Sequence, residues 1–304
     1  MNPILALIIA NIIWGAASPI FKFSLENIPP FTLAFIRFFF AAFLLIPFIK
    51  GFKIPSLTIK EWLELLLGVF FGITVNITFF FLGLQRTESI NAPIIGSSGP
   101  IFLFFLSIFF LKEKPKLKIF SGMIIALIGV LIIILAPIIF DGRILALNEV
   151  KGNLFFVLAM VGGVLHPLLH KNILKKIDIF KINFIGFLFG SLTFIPFMLG
   201  ELHHWSFSQL NISGWTGIIF GVFFSTALAY TLFNYGLARI NTEEVGLFTY
   251  IDPVIAVLIA MPLLHEFPTI HFFIGSFLVF GGIFLAEGRL HWHPLHKLNL
   301  KFKI

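Results

Sequence analysis

Two charged residues stand inside stretches that are otherwise apolar, Arg37 in FTLAFIRFFFAAF and Asp252 in LFTYIDPVIAV. Charge in hydrocarbon costs about 2.5–3.5 kcal/mol on insertion scales, so each needs water or a partner. Arg37 can meet a solute carboxylate or tie helices together through backbone carbonyls. Asp252, which precedes Pro253, can take up and release a proton or bond backbone groups that the proline frees.

Uncharged polar residues add to this pair at helical spacing. Asn11, Trp14 and Ser18 follow i, i+3, i+7, with Lys22 extending the stripe; Thr226, Tyr230 and Asn234 follow i, i+4, i+8. Shorter polar clusters occur at Thr74, Asn76 and Thr78, at Asn91, Ser97 and Ser98, and at Thr249 and Tyr250. One such residue is adequately used by a helix–helix hydrogen bond. Five clusters on five segments point instead to a shared cavity, with candidate lining residues Asn11, Trp14, Ser18, Arg37, Asn76, Thr78, Ser98, His166, Tyr230, Asn234, Tyr250 and Asp252. Trp14 and Tyr230 offer apolar faces to an amphipathic solute.

His166 and His170 in HPLLH have a spacing that can hold zinc, but no glutamate occupies the HExxH position and no third ligand is in view, so no metal site is assigned. Both fit cavity lining, His166 in place of Ser18 and His170 in place of Lys22 in the repeat described below. GSSG at 96–99 matches the GxSG of intramembrane serine proteases, which makes a Ser98/His166 dyad an alternative chemistry. Small residues there also serve close helix packing. Pro100 and Pro253, each about midway along its segment, read as hinges, since a proline leaves one carbonyl unbonded. Glu113 and Glu266, just before Pro115 and Pro268, read as caps of the helices that follow.

The elements that position these residues must lie in a membrane. Hydrophobic residues make up 59% of the 304-residue chain and charged ones 12%, and mean hydropathy is +1.04, values that would drive a soluble domain to aggregate. There is no cysteine, which excludes disulfides and thiolate chemistry. A net charge of +7 suits loops facing anionic lipid rather than nucleic acid. MNPILALIIANIIWG lacks a basic leader and is not read as a cleavable signal.

Residues 62–130 recur at 215–283 with a constant offset of 153 and 17 identities in 69 positions. Trp62, Gly68-Val69-Phe70-Phe71, Arg86, Pro100, Glu113, Gly122 and Gly129 meet Trp215, Gly221-Val222-Phe223-Phe224, Arg239, Pro253, Glu266, Gly275 and Gly282. Residues 31–51 match 180–200 at offset 149, where Gly186 takes the place of Arg37. This is an internal duplication. Apolar segments long enough to cross a bilayer fall at about 4–22, 31–49, 62–84, 89–111, 119–138, 153–170, 182–199, 214–237, 244–264 and 270–287.

Five spans per copy force the second copy to enter from the opposite face. The expected fold is an all-α integral membrane protein of ten transmembrane helices in two inverted five-helix repeats, 1–140 and 150–288, followed by a basic tail, 289–304. With a cytoplasmic N-terminus, 16 of the 21 basic residues fall on inside segments, which sets both termini in the cytoplasm of a multi-pass cell-membrane protein.

WGAASPIFK in the first span, FIRFFFAA in the second, FFFLGLQRTES closing the third, a proline in the fourth and LKEKP before a glycine-rich fifth resemble the drug/metabolite transporter superfamily, EamA type. The resemblance covers residues 1 to about 288. It implies a central cavity enclosed by the first four helices of each copy, with the fifth and tenth peripheral, and a substrate among small metabolites, often amino acids, in a family with many exporters.

No nucleotide-binding or other cofactor motif is found. The expected function is therefore secondary active transport, as an exporter, by alternating access, coupled to a proton or a counter-substrate. Its partners are a small-molecule substrate and the bilayer, and a homodimer is compatible with it. The competing readings are the Ser98/His166 protease and a non-transporting scaffold.

Overall fold

The computed structural model describes residues 1–49, 51, 55–111, 117–139, 146–240 and 242–287, and every regular element among them is helical. The helices are α1 (Pro3–Ser24), α2 (Pro30–Leu45), α3 (Ile59–Val69), α4 (Asn76–Leu84), α5 (Asn91–Gly96), α6 (Gly99–Leu111), α7 (Leu117–Ile139), α8 (Ala146–Ile173), α9 (Ile179–Glu201), α10 (Ile212–Ile219), α11 (Ala229–Leu237), α12 (Thr242–Val245), α13 (Asp252–Leu264) and α14 (Ile270–Glu287). Eight helical stretches are long and apolar enough to cross a membrane, and the shorter Asn91–Phe105 and Ile270–Ala286 are also apolar. The protein is all-α and multi-pass.

Helix starts follow local chemistry. Thr58 and Glu61 form a reciprocal capping box on α3. At the repeat-equivalent position Asn211 caps α10, accepting from the N–H groups of Ser213 and Gly214. Asp178 caps α9 in the same way. Its counterpart before α2 is Pro29, which has no side-chain acceptor; Glu201 at the end of α9 fills the gap, accepting from Phe31 N at 3.0 Å and Thr32 N at 2.7 Å.

Two spans contain a feature that periodicity does not signal. Between α3 and α4 the backbone runs through a π-helical segment, Phe70–Val75, and between α10 and α11 through another, Phe220–Leu228. At offset 153 the first maps into the second. In a π turn the hydrogen bonds reach one residue further and the helix widens, so some carbonyls lose their ordinary donors.

The chain forms two compact units. One comprises Met1–Ser97 and Pro137–Pro268, the other Ser98–Ala136 and, among the described residues, 269–287. Within the first, contacts come in reciprocal pairs. α1 packs on α10–α11 as α8 packs on α3–α4; α1 meets α13 as α8 meets α5; α2 lies along α9. Lys22, two residues before the end of α1, donates to the carbonyl of Thr87 at 2.7 Å. Lys171, two residues before the end of α8, donates to the carbonyls of Leu237 and Ile240, and Ile240 is the repeat mate of Thr87. Lys171, rather than the neighbouring His170 suggested by the glycine and proline register, is thus the structural counterpart of Lys22.

The second unit pairs α7 with α14 through glycine. A Cβ on Gly122 would lie 2.5 Å from the carbonyl oxygen of Gly282, and one on Gly129 2.6 Å from that of Gly275. Gly275 and Gly282 are the mates of Gly122 and Gly129, so the antiparallel contact exchanges repeat-equivalent residues, as a two-fold relation requires. Close backbone approach between small residues is the main source of helix adhesion in lipid. Gly122→Ala or Gly129→Ala should therefore cost about 1–3 kcal/mol by overpacking, read as a lower unfolding temperature in detergent. Gly281→Ala, which would meet nothing within 4 Å, should leave it unchanged.

Candidate functional site

Arg37 is 2% exposed, and the structure boxes it in. Its Nε donates to Thr226 Oγ1 at 2.9 Å and one terminal nitrogen to Ser225 Oγ at 3.1 Å. Its guanidinium carbon lies 4.6 Å from the ring centre of Phe21, 4.7 Å from that of Phe38 and 5.9 Å from that of Phe81. Among the described residues no carboxylate pairs with it, and Nη1 has no hydrogen-bond partner. Arg37 thus ties α2 to the second π segment through two hydroxyls, a helix-tying role made with side chains rather than carbonyls.

An aromatic and polar cluster surrounds that segment. Trp14 donates from its indole nitrogen to the Ser225 carbonyl at 3.1 Å and packs edge-on against Tyr230, with centroids 5.2 Å apart. The Tyr230 hydroxyl reaches the carbonyl of Gly72, in the first π segment, at 3.4 Å. His166 Nδ1 is 3.2 Å from the Gly68 carbonyl and His170 Nε2 is 3.1 Å from that of Leu65. A carbonyl only accepts, so each of those nitrogens carries the proton, and the other nitrogen of each ring is a buried acceptor without a partner. Asn234 donates to Asn183 at 2.6 Å, and Asn183 donates to Thr231 at 3.1 Å. His166 and His170 form no metal cluster with a third ligand among the described residues.

On its other face α1 meets α13. A Cβ on Gly15 would fall 2.7 Å from the Asp252 carbonyl oxygen, so only glycine allows this approach. Asn11 and Ser18 flank Gly15 on the same helix. Asn11 bonds its own helix at Leu7, leaving its Oδ1 unpartnered; Ser18 Oγ and Asp252 Oδ1 are likewise buried without a partner. Ser97 donates to the Thr249 carbonyl at 3.2 Å, joining the end of α5 to the turn that precedes α13.

Asn76 lies elsewhere, donating to the Ala159 carbonyl of α8 at 2.7 Å, while Thr78 and Tyr250 are half-buried. Ser98 is buried and belongs to the second compact unit, as does Pro100. An apolar groove of about 790 Å³ between α2, the end of α9 and α10 carries none of these residues.

Pro100 stands in the first turn of α6 and Pro253 in the first turn of α13, and a tighter 3-10 segment, Gly246–Ile251, runs directly into α13. One expectation needs correction. Glu266 does not cap α14, whose start is served by Thr269 Oγ1 accepting from Phe272 N at 3.2 Å. Its carboxylate reaches instead to Lys22 and Ser89. Glu113, Pro115 and the basic tail 289–304 lie outside the described residues.

The Arg37 contacts are testable by a double-mutant cycle. Arg37→Gln and Thr226→Val should each destabilise, and because they remove the same interaction the double variant should fall short of their sum by about 0.5–3 kcal/mol, read from thermal unfolding. Additive losses would show that the two residues act apart.

Comparison with known proteins agrees with this geometry. The model of the EamA-like transporter family matches residues 1–135 and 150–287. The transporter YetK of Bacillus subtilis (strain 168) is 32% identical over 292 residues, covering 94% of this chain and 87% of that protein. The "Probable amino-acid metabolite efflux pump" of Escherichia coli (strain K12) is 24% identical, covering 97% and 98%. A solved crystal structure superposes with a TM-score of 0.63 at 17% identity, over 93% of this chain and 96% of that one, and so shares the fold. Both copies of the duplication fall within the matched segments, and the chain belongs to the EamA-like transporter family, small-molecule transporters of the drug/metabolite transporter superfamily.

Proposed function

We propose that this chain is a secondary transporter that exports small amphipathic metabolites, amino acids and their relatives first among them, by alternating access. The observation that carries the reading is the set of buried polar atoms left without partners on α1, α11 and α13: Asn11 Oδ1, Ser18 Oγ, Asn234 Oδ1 and Asp252 Oδ1. Buried polar atoms in native proteins are nearly always bonded, and a solute with donor groups would satisfy them. Trp14 and Tyr230, packed edge-on where α1 meets α11, would offer apolar faces to such a solute. The amino-acid efflux pump among the relatives supports this substrate class.

The architecture that would let such a site face either side is ten helices in two inverted copies, 1–140 and 150–288, with both termini in the cytoplasm. The reciprocal contacts of α1 and α8, the repeat-related π segments and the exchanged glycines of α7 and α14 support it. One copy would rock against the other, with Pro100 and Pro253, each of which lacks a backbone donor, permitting the spans to bend.

Two experiments test the proposal. Reporter fusions after Gly51 and within 174–178 should report cytoplasm, and those within 203–211 the exterior; the reverse pattern, or termini on opposite sides, would overturn the inverted arrangement. In proteoliposomes, amino acids, nucleobases and sugar phosphates are offered with and without a pH gradient. Amino acids should move, and a gradient should drive their accumulation. Asp252→Asn should then abolish gradient-driven accumulation while sparing counterflow, because the amide keeps the shape of the carboxylate and cannot titrate. Full accumulation by this variant would remove Asp252 from the coupling and leave solute exchange as the mechanism.

A further inference from the structure

α13 ends at Leu264, and the next residue, His265, adopts the left-handed conformation with φ 55° and ψ 31°. It is the one non-glycine residue with positive φ among the described residues. A side chain with a Cβ is held there against a steric penalty. His265 ends α13, and the residue that follows it, Glu266, is only 7% exposed.

Both of its oxygens are then used. Oε1 accepts from Lys22 Nζ at 2.6 Å, while Oε2 accepts from the Ser89 N–H at 2.8 Å and the Ser89 hydroxyl at 2.6 Å. Lys22 also holds the carbonyl of Thr87. Two residues therefore clamp three segments, the end of α1, the connection between α4 and α5, and the end of α13. The first two come from one copy of the repeat and the third from the other.

The contact between α1 and α13 thus has two unlike parts. At Gly15 it is a bare backbone approach with no glycine side chain to displace, a place where two helices can tilt. At Lys22 it is a set of charge-assisted bonds. A paired charge of this kind adds little net stability, because desolvation offsets the attraction. It is also directional and breaks as a unit, and the Lys22 side chain is 29% exposed, so water can take over when it opens. Ser18, one of the unpartnered polar residues, sits one turn beneath Lys22.

We infer that Lys22, Glu266 and Ser89 form a latch that closes the α1–α13 end of the solute pathway, with the left-handed turn at His265 presenting Glu266 to it. The inference rests on the alternating-access reading above. The latch shut is one end state of the cycle, and solute passes this end only after Glu266 leaves Lys22.

The chain has no cysteine, so a single reporter thiol can be introduced without background. In Ser18→Cys, the rate of labelling by a membrane-impermeant maleimide is measured from each face of sealed proteoliposomes. The parent should label slowly from the latch face. Glu266→Gln or Lys22→Met, added singly, should raise that rate about tenfold, as a shift of a two-state population does. The exchanged pair Lys22→Glu with Glu266→Lys should bring it part-way back, because it restores the ion pair but sets a carboxylate against the Thr87 carbonyl and an ammonium against the Ser89 N–H; a variant that merely misfolds would show no recovery. His265→Gly, for which positive φ is unstrained, should stay slow, and His265→Val, which resists that conformation, should label fast. Equal rates in the parent and both single variants, or an exchanged pair as fast as they are, overturns the latch. Labelling needs no solute, so a latch-dependent rate in a protein that moves none of the compounds offered would sink the transport reading and leave the latch standing.

Discussion

Backbone carbonyls in hydrocarbon must find donors inside the protein, and the way this chain meets that demand organises the rest. Each π segment frees carbonyls at its turn, and each is answered from the other copy of the repeat. Ser225, in the second copy, receives Trp14 from the first; Gly72, its mate in the first copy, receives Tyr230 from the second. His166 and His170 extend the same exchange to Gly68 and Leu65. The two copies are stitched together at the irregular stretches of their own helices.

The copies are not equal, and the inequality is coherent. Arg37 has Gly186 as its mate, and the Ser225 and Thr226 that bind Arg37 have Gly72 and Ile73 as theirs. Where the cation is present both hydroxyls are present; where it is missing, both are missing. Gly186 leaves room for Val69, whose side chain would be 3.1 Å from an added Cβ. The contact of α2 with the second π segment thus carries a polar anchor, whereas the repeat-related contact of Gly186 is made with the hydrocarbon of Val69.

Much of this was legible in the residues. The repeat, the spans, the intramembrane charges and the Trp14 and Tyr230 stripes are local patterns of composition and period, and the helices fall close to the segments expected from them. The π segments were not legible, because one extra residue in a turn changes no hydrophobic face enough to alter the period. A trace exists nonetheless: the longest identical run between the copies, Gly68–Phe71 and Gly221–Phe224, overlaps both of them. Glu266 was misread because a glutamate near a helix start fits a capping rule that uses sequence neighbours only, whereas its partners are 177 and 244 residues away. Lys171 was missed as the counterpart of Lys22 because the copies differ by one residue in register along the first span, and only the shared contact to repeat-mate carbonyls decides it.

Distance along the chain has a further consequence, in the order of synthesis. Arg37 reaches the membrane with the second helix, but Ser225 and Thr226 are 188 and 189 residues downstream. The first compact unit likewise is not complete until residue 268 has been made. Through most of translation the nascent protein therefore carries an intramembrane cation whose final hydroxyl partners do not yet exist. Phe38, its neighbour in the same helix, and Phe21, from the helix before it, can flank the guanidinium from the start. The aromatic faces are then the first shelter for that charge during insertion, and the hydroxyls fix its orientation only when the second copy arrives.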